Sequence, residues 1–223
     1  MSLPFLAAIW GLSVWGWLNA EPGQQYPVHW GMDGQPDRYG GVFEAFFMMP
    51  CLLTGLVGLF VILPLIDPRG QNLRRSSSAY LASWITVMAL MTAIHAAVIL
   101  AALGRLADGG SGIMLQLVGG GVGLMLMIVG NFLGKARPNW FFGVRTPWTL
   151  SSDLAWDKTH RLTGRLMVLC GLAMLIGVVL APPQLAFWIM LAGALIPTGT
   201  GVVYSYLVWR SDPDRETATP SDA

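Results

Sequence analysis

Apolar residues fill this chain in long blocks separated by short polar links. Six blocks are long enough, or nearly so, to cross a bilayer core as helices, at about 3–19, 45–66, 79–104, 112–134, 162–181 and 185–209. The first is the shortest and is hydrophobic nearly all round. Only Pro182-Pro183-Gln184 separates the last two, which therefore form a tight antiparallel hairpin. The fourth carries Gly119-Gly120-Gly121-Val122-Gly123; Gly119 and Gly123 lie one turn apart, a spacing that lets helices approach closely. The pattern predicts an all-α, polytopic membrane protein with six transmembrane helices. It divides into a two-helix unit (1–66) with an outer segment (20–44), a four-helix region (67–210) with an inner loop (135–161), and a disordered tail (211–223) rich in Ser, Thr, Pro, Asp and Glu.

Composition supports this division. Hydrophobic residues make up 54% of the 223 and charged residues 11%, less than half the charge of a soluble domain. A net charge of +1 leaves no bulk field for nucleic acid. Cys51 and Cys170 both fall in apolar runs and read as packing residues, not a disulfide. The N-terminus has no basic n-region, so no cleaved signal peptide is expected.

The few charges set an orientation. Arg69, Arg74, Arg75, Lys135, Arg137, Arg145, Lys158, Arg161, Arg165, Arg210 and Arg215 all fall on the even-numbered links or the tail. The odd-numbered links hold only Arg38 and Arg105. Cytoplasmic segments keep positive charge, which predicts both termini inside. Tryptophan forms two belts to match: Trp15, Trp17, Trp30 and Trp188 near the outer ends, and Trp84, Trp140, Trp148, Trp156 and Trp209 near the inner ends, with Trp10 in mid-span.

The densest cluster of polar and aromatic residues is the inner loop. Lys135, Arg137, Arg145, Lys158 and Arg161 alternate with Trp140, Trp148 and Trp156. An interfacial anchor that only fixes topology is one reading. The loop is more elaborate than topology needs, because Pro138 and Pro147 restrict the backbone and Gly143 permits a conformation other residues avoid. Ser151 or Ser152 caps a short interfacial helix running into the fifth span, with Asp153 on its N-terminus. Asn131 is placed to bind a backbone carbonyl or Arg145. Residues expected to carry function here are Asn131, Lys135, Arg137, Asn139, Arg145, Thr146, Trp148, Trp156, His160 and Arg161.

The run from Gly130-Asn131 through Lys135, Arg137-Pro138-Asn139 and Gly143-Val144-Arg145-Thr146-Pro147-Trp148-Thr149-Leu150-Ser151, then Trp156, Thr159-His160-Arg161 and Gly164, closely resembles the SdpI-type family of integral membrane proteins. The pattern Pro27-x-His29-Trp30 to Gly34-x-Pro36-Asp37 is similar to the short domain of unknown function that commonly precedes that region. Pro64-x-Ile66-Asp67-Pro68-Arg69 and Ser78-Ala79-Tyr80 also look like the family's pattern, so the resemblance covers most of the chain. It implies a multi-pass protein of a bacterial plasma membrane, and immunity to a secreted peptide toxin, signalling to a soluble regulator, or both. The partners it implies are membrane lipids, a peptide toxin outside and a transcriptional regulator inside, with no direct nucleic acid.

The outer segment 20–44 is dense in Gly, Pro and Asp, which predicts turns and not a helix. His29, Trp30, Asp33, Asp37 and Arg38 form its candidate sensing turn. His29, Asp33 and Asp37 invite a metal, but their spacing matches no strong signature, and no metal or cofactor is expected. Asp67 and Arg69 in the first inner link are candidates to pair with the larger inner loop. His95 is the one strongly ionisable side chain deep in a span; a neutral His hydrogen-bonded to another helix outweighs a proton relay, since no intramembrane Asp or Glu accompanies it. No His-Glu-x-x-His, nucleophile elbow or Cys–His pair supports an enzyme. The rival reading is a small transporter or lipid-handling protein in which Arg137, Arg145, Lys158 and Trp148 hold an anionic headgroup.

Overall fold

A computed structural model describes residues 2–66 and 77–215. The first inner link, with the expected contact of Asp67 and Arg69 to the inner loop, and residues 216–223 of the tail lie outside the described residues.

The protein is mostly helical, with helices α1 (Leu3–Leu18), α2 (Met48–Ile66), α3 (Ser77–Ala102), α4 (Ile113–Leu133), α5 (Pro147–Leu150), α6 (Asp153–Leu180) and α7 (Pro183–Arg210). Among the described residues five helical segments are long and apolar enough to cross a membrane: Phe43–Leu63, which is α2 with the π-helical turn Phe43–Phe47 before it, then α3, α4, α6 and α7. At 16 residues α1 is about 24 Å long, short of a hydrocarbon core of about 30 Å.

The all-α expectation needs one correction. In the outer segment, strands β1 (Tyr26–Trp30) and β2 (Pro36–Gly40) pair antiparallel, Tyr26 opposite Gly40 and Trp30 opposite Pro36. The register shifts around His29, so no clean alternation of apolar and polar positions marks the strands. Gly34, at φ +78°, turns the chain between them, and Asp33 Oδ1 accepts the Gln35 N–H (3.0 Å).

The hairpin is tied to the link between α3 and α4. Trp30 Nε1–H donates to the Gly109 carbonyl (3.1 Å), Ser111 Oγ donates to Gln35 Oε1 (2.8 Å), and the Gly112 N–H donates to the Gly34 carbonyl (3.3 Å). Beneath it Tyr26, Phe46, Ile99 and Ala102 form a buried cluster, in which the Tyr26 and Phe46 rings meet edge-on at 5.0 Å.

Helix α1 packs on this cluster and on α3. Its buried positions are Ile9, Ser13 and Gly16, spaced three and four apart on one face. Gly16 leaves room for Phe46 and Ile99. Ser13 Oγ donates to the Ile9 carbonyl (2.8 Å) and lies 2.8 Å from His95 Nε2. The serine has one proton and spends it on Ile9, so the imidazole N–H donates to it. His95 thus joins α1 to α3 by a hydrogen bond between helices, the contact expected of it.

The other half of the bundle is built on α6, packed against α4 on one side and α7 on the other. Glycines make the α4–α6 contact: a side chain at Gly123 would strike the Gly171 carbonyl, and one at Gly130 the Gly164 carbonyl, and the reverse holds for both pairs. The pairs are seven residues apart on each antiparallel helix, two full turns. Gly119 sits against Val178 on the same line, so the expected close contact of Gly119 and Gly123 is present. Helix α2 is peripheral, with Leu52, Leu59, Val61, Ile62, Leu65 and Ile66 exposed, as suits a lipid-facing helix.

Candidate functional site

Two clusters of polar residues lie at opposite ends of the bundle. The hairpin and the α3–α4 link occupy one end. The loop from Gly134 to Ser152 occupies the other, together with the C-terminus of α7.

The loop is held from within by three buried side chains. Asn139, fully buried, donates Nδ2–H to the Arg137 carbonyl (2.9 Å), while its Oδ1 accepts the N–H groups of Phe141 (3.0 Å) and Phe142 (2.6 Å). Trp156, also fully buried, donates Nε1–H to the Ala136 carbonyl (2.8 Å) and stacks on His160 with centroids 4.0 Å apart. The Val144 N–H donates to His160 Nε2 (3.0 Å), and His160 Nδ1 lies 2.8 Å from the Trp156 carbonyl. Nε2 accepts, so Nδ1 carries the proton and the ring is neutral. A protonated ring could not accept the Val144 N–H. His160 therefore fixes the loop at Val144 to α6, and Gly143, at φ +108°, lies flat against its edge.

Two caps complete the frame. Thr146 Oγ1 accepts the Thr149 N–H (3.2 Å) and Thr149 Oγ1 accepts the Thr146 N–H (3.0 Å), a reciprocal box that starts α5 with Pro147 at its first position. Thr146 also reaches Ser205 on α7 (2.9 Å between hydroxyl oxygens), and Trp148 packs edge-on against Tyr206. Ser152 accepts the Ala155 N–H (2.9 Å) and donates to Asp212. Helix α6 therefore begins at Asp153 and continues unbroken from the expected interfacial helix into the span. Residues 211–215, grouped with the tail by composition, turn back on the bundle: Asp212 is buried and the Arg215 guanidinium lies 5.0 Å from the Trp209 ring centre.

Of the ten inner candidates, Asn139, Thr146, Trp156 and His160 are thus the buried frame, and Trp148 braces it. Lys135, Arg137, Arg145, Arg161 and Asn131 are exposed. Arg145 Nη1–H donates to the Trp140 carbonyl (2.8 Å), which orients a solvated guanidinium at the mouth of a cavity of about 380 Å³. Leu126, Val129, Met167, Pro197 and Val202 supply apolar walls, and the buried Thr163 hydroxyl has no hydrogen-bond partner among the described residues. Asn131 does not reach Arg145: it opens on a different groove, with Lys135 and Arg161. Thr149 and Ser205 escaped sequence reading. The Thr-x-x-Thr spacing could have revealed the first; nothing local marks the second.

At the other end, His29 Nδ1 lies 2.6 Å from Asp37 Oδ1 across the hairpin, and Arg38 pairs with Glu44. Trp30 is spent on Gly109, so the exposed candidates are His29, Asp33, Asp37 and Arg38, beside exposed Met32 and Tyr39. Among the described residues no group of three His, Cys, Asp or Glu side chains converges as a metal site.

Replacing His160 by Phe keeps the stack on Trp156 but leaves the part-buried Val144 N–H without its acceptor, while the Trp156 carbonyl keeps only its helical N–H. An unpaired group of this kind costs about 1–3 kcal/mol, so the variant's melting temperature in detergent should fall, with proteolytic nicking appearing between residues 137 and 146. An unchanged melting temperature and an intact loop would contradict this account.

These features define a multi-pass α-helical membrane protein with a prebuilt polar loop at one end and a tethered β-hairpin at the other. Residues 135–205 match the SdpI/YfhL protein family, and residues 5–54 match a domain of unknown function, DUF1648. The chain therefore carries an SdpI-family region behind a DUF1648 region, as its motifs indicate. The first match spans the loop, α6 and most of α7; the second spans α1, the hairpin and the start of α2. Comparison with curated proteins and with solved structures gave no match.

Proposed function

We propose that this protein protects a bacterial cell from a membrane-active peptide and reports that encounter to a soluble regulator. In this reading α1 also crosses the membrane, giving six spans with both termini and the loop cytoplasmic and the hairpin outside. The observation that carries it is the way α4 joins the two ends. Its N-terminus is bonded to the hairpin through Gly112 and Gly34, and its C-terminus leads into the loop that Trp156 clamps through Ala136. A displacement of the hairpin would load one rigid helix whose other end carries the loop. The charges support the orientation: Lys135, Arg137, Arg145, Lys158, Arg161, Arg165, Arg210 and Arg215 gather at the loop end, Arg38 and Arg105 at the hairpin end. The acidic and aromatic face of the hairpin suits an apolar, cationic peptide.

Orientation is tested by cysteine labelling on a background lacking Cys51 and Cys170. A membrane-impermeant reagent applied from outside should modify Gln35→Cys and spare Arg145→Cys; the reverse pattern would overturn the topology.

Function is tested by separating survival from signalling. Asp37→Asn combined with Met32→Ser removes an exposed charge and an exposed apolar contact while leaving Trp30 on Gly109. Insertion and abundance should hold, and protection against the peptide should fall at least tenfold. Arg145→Ala should instead silence the downstream reporter. Arg145→Lys should impair it nearly as much, because an ammonium cannot reproduce the planar fork of donors. If hairpin variants lose abundance in step with protection, the hairpin is a structural cap and the sensing role falls. A lysine variant that behaves like wild type would reduce the loop to an interfacial anchor.

A further inference from the structure

A groove of about 530 Å³ runs between α4 and α6 at the loop end, on the side away from Arg145. Lys135, Arg161 and Arg165 border it with Asn131, its floor is Gly130, Gly134 and Gly164, and Val168 and Leu169 continue it along α6. The glycines make the depression, since Arg161 lays its stem directly over Gly134. None of the three cations makes an ion pair: among the described residues the ion pairs are His29–Asp37 on the hairpin and Arg38–Glu44 between the hairpin and the π-helical turn. Lys135 instead holds its ammonium 6.0 Å from the Phe132 ring centre. Asp157, one turn before Arg161, does not engage it.

We propose that this groove is a binding site for an anionic phospholipid of the adjacent leaflet, with its phosphate among Lys135, Arg161, Arg165 and the Asn131 amide. Three unpaired cations in one depression repel one another, and a phosphate relieves all three at once. Arginine suits the site because its fork matches phosphate oxygens, and Asn131 adds a neutral donor. Below the cations the surface turns apolar: Leu169, Leu172 and Ile176 are exposed on α6, and an acyl chain can lie along them. A soluble phosphate would use the cations and gain nothing from this strip, which is why the lipid is the better occupant. The site lies on residues separate from Arg145, so it stands whether or not the immunity reading holds.

The test is native mass spectrometry of the full chain in detergent, titrated with phosphatidylglycerol and with phosphatidylcholine. Phosphatidylglycerol should bind with at least tenfold preference. Arg161→Gln combined with Arg165→Gln should weaken it about 30-fold, from the usual contribution of a cation near an anionic headgroup. Lys158→Gln combined with Arg210→Gln removes the same charge outside the groove and should leave it within about threefold of wild type. Thermal unfolding of each variant without lipid confirms that it folds, and Arg161→Lys combined with Arg165→Lys should restore part of the binding if a double Gln variant is unstable. Equal loss in the two Gln pairs would show diffuse attraction to a basic face and overturn the site. Displacement of the lipid by soluble glycerol phosphate at comparable concentration would overturn the lipid assignment.

Discussion

Gly143→Ala is expected to unmake the loop and with it any function the loop serves. Two penalties act together. At φ +108° an L side chain is strained by about 1–3 kcal/mol. The new methyl would also be driven into the His160 ring at Nε2, the atom that accepts the Val144 N–H. His160 cannot retreat, because its ring is stacked on Trp156 and its other nitrogen is bonded to the Trp156 carbonyl. Relief must come from the backbone, which breaks the Val144 bond and leaves a part-buried N–H unpaired at a further cost of up to about 1–3 kcal/mol. Val144 is the base of the next turn, since its carbonyl accepts from Thr149 (2.7 Å), so the cap of α5 should loosen as well. The measurement is limited proteolysis and reporter output at matched membrane levels. Cleavage between residues 140 and 150 should rise at least tenfold and signalling should disappear. A resistant, active Gly143→Ala protein would mean that His160 does not hold the loop.

Only part of this arrangement is legible in the sequence. Five spans were legible because about twenty apolar residues bounded by charge have few other fates, and their helix ends fall within a few residues of those read from the pattern, except that α6 starts at Asp153 because the interfacial helix runs into the span without a break. Stiffness in the loop was legible from Pro138, Gly143 and Pro147. The division of labour inside it was not. Asn139, Trp156 and His160 look like the polar and aromatic residues of a binding site, and burial alone reveals them as the frame that leaves Arg145 and Arg137 outside. The hairpin was hidden for a related reason: Pro27, Pro36, Gly40 and the irregular register break the alternation by which a strand announces itself. Asp212, in a segment whose composition reads as disordered, is ordered by Ser152, sixty residues away in sequence.

Gly130→Ala and Gly164→Ala should each destabilise the bundle more than any surface change, and together they should cost less than their sum. At Gly164 a Cβ would lie 2.5 Å from the Gly130 carbonyl oxygen, and at Gly130 one would lie 2.6 Å from the Gly164 oxygen and 2.8 Å from Met167 Cβ. Real Cβ atoms do not approach backbone that closely, so α4 and α6 must part. In a bilayer that separation is costly, because helix association rests on close packing and not on expulsion of water. Overpacking a tight contact costs about 1–3 kcal/mol, and the same parting would loosen the Gly123–Gly171 contact two turns away. Once one methyl has forced the helices apart the second meets a wider gap, hence the shortfall from additivity. Gly11→Ala in α1 and Gly55→Ala in α2 are the controls: nothing lies within 4 Å of either new methyl, and loss of glycine's backbone freedom should make both neutral or slightly stabilising. Thermal unfolding in a single detergent decides the matter. If Gly130→Ala melts with Gly11→Ala, the two helices are not in backbone contact, and α4 cannot serve as the rigid link between hairpin and loop.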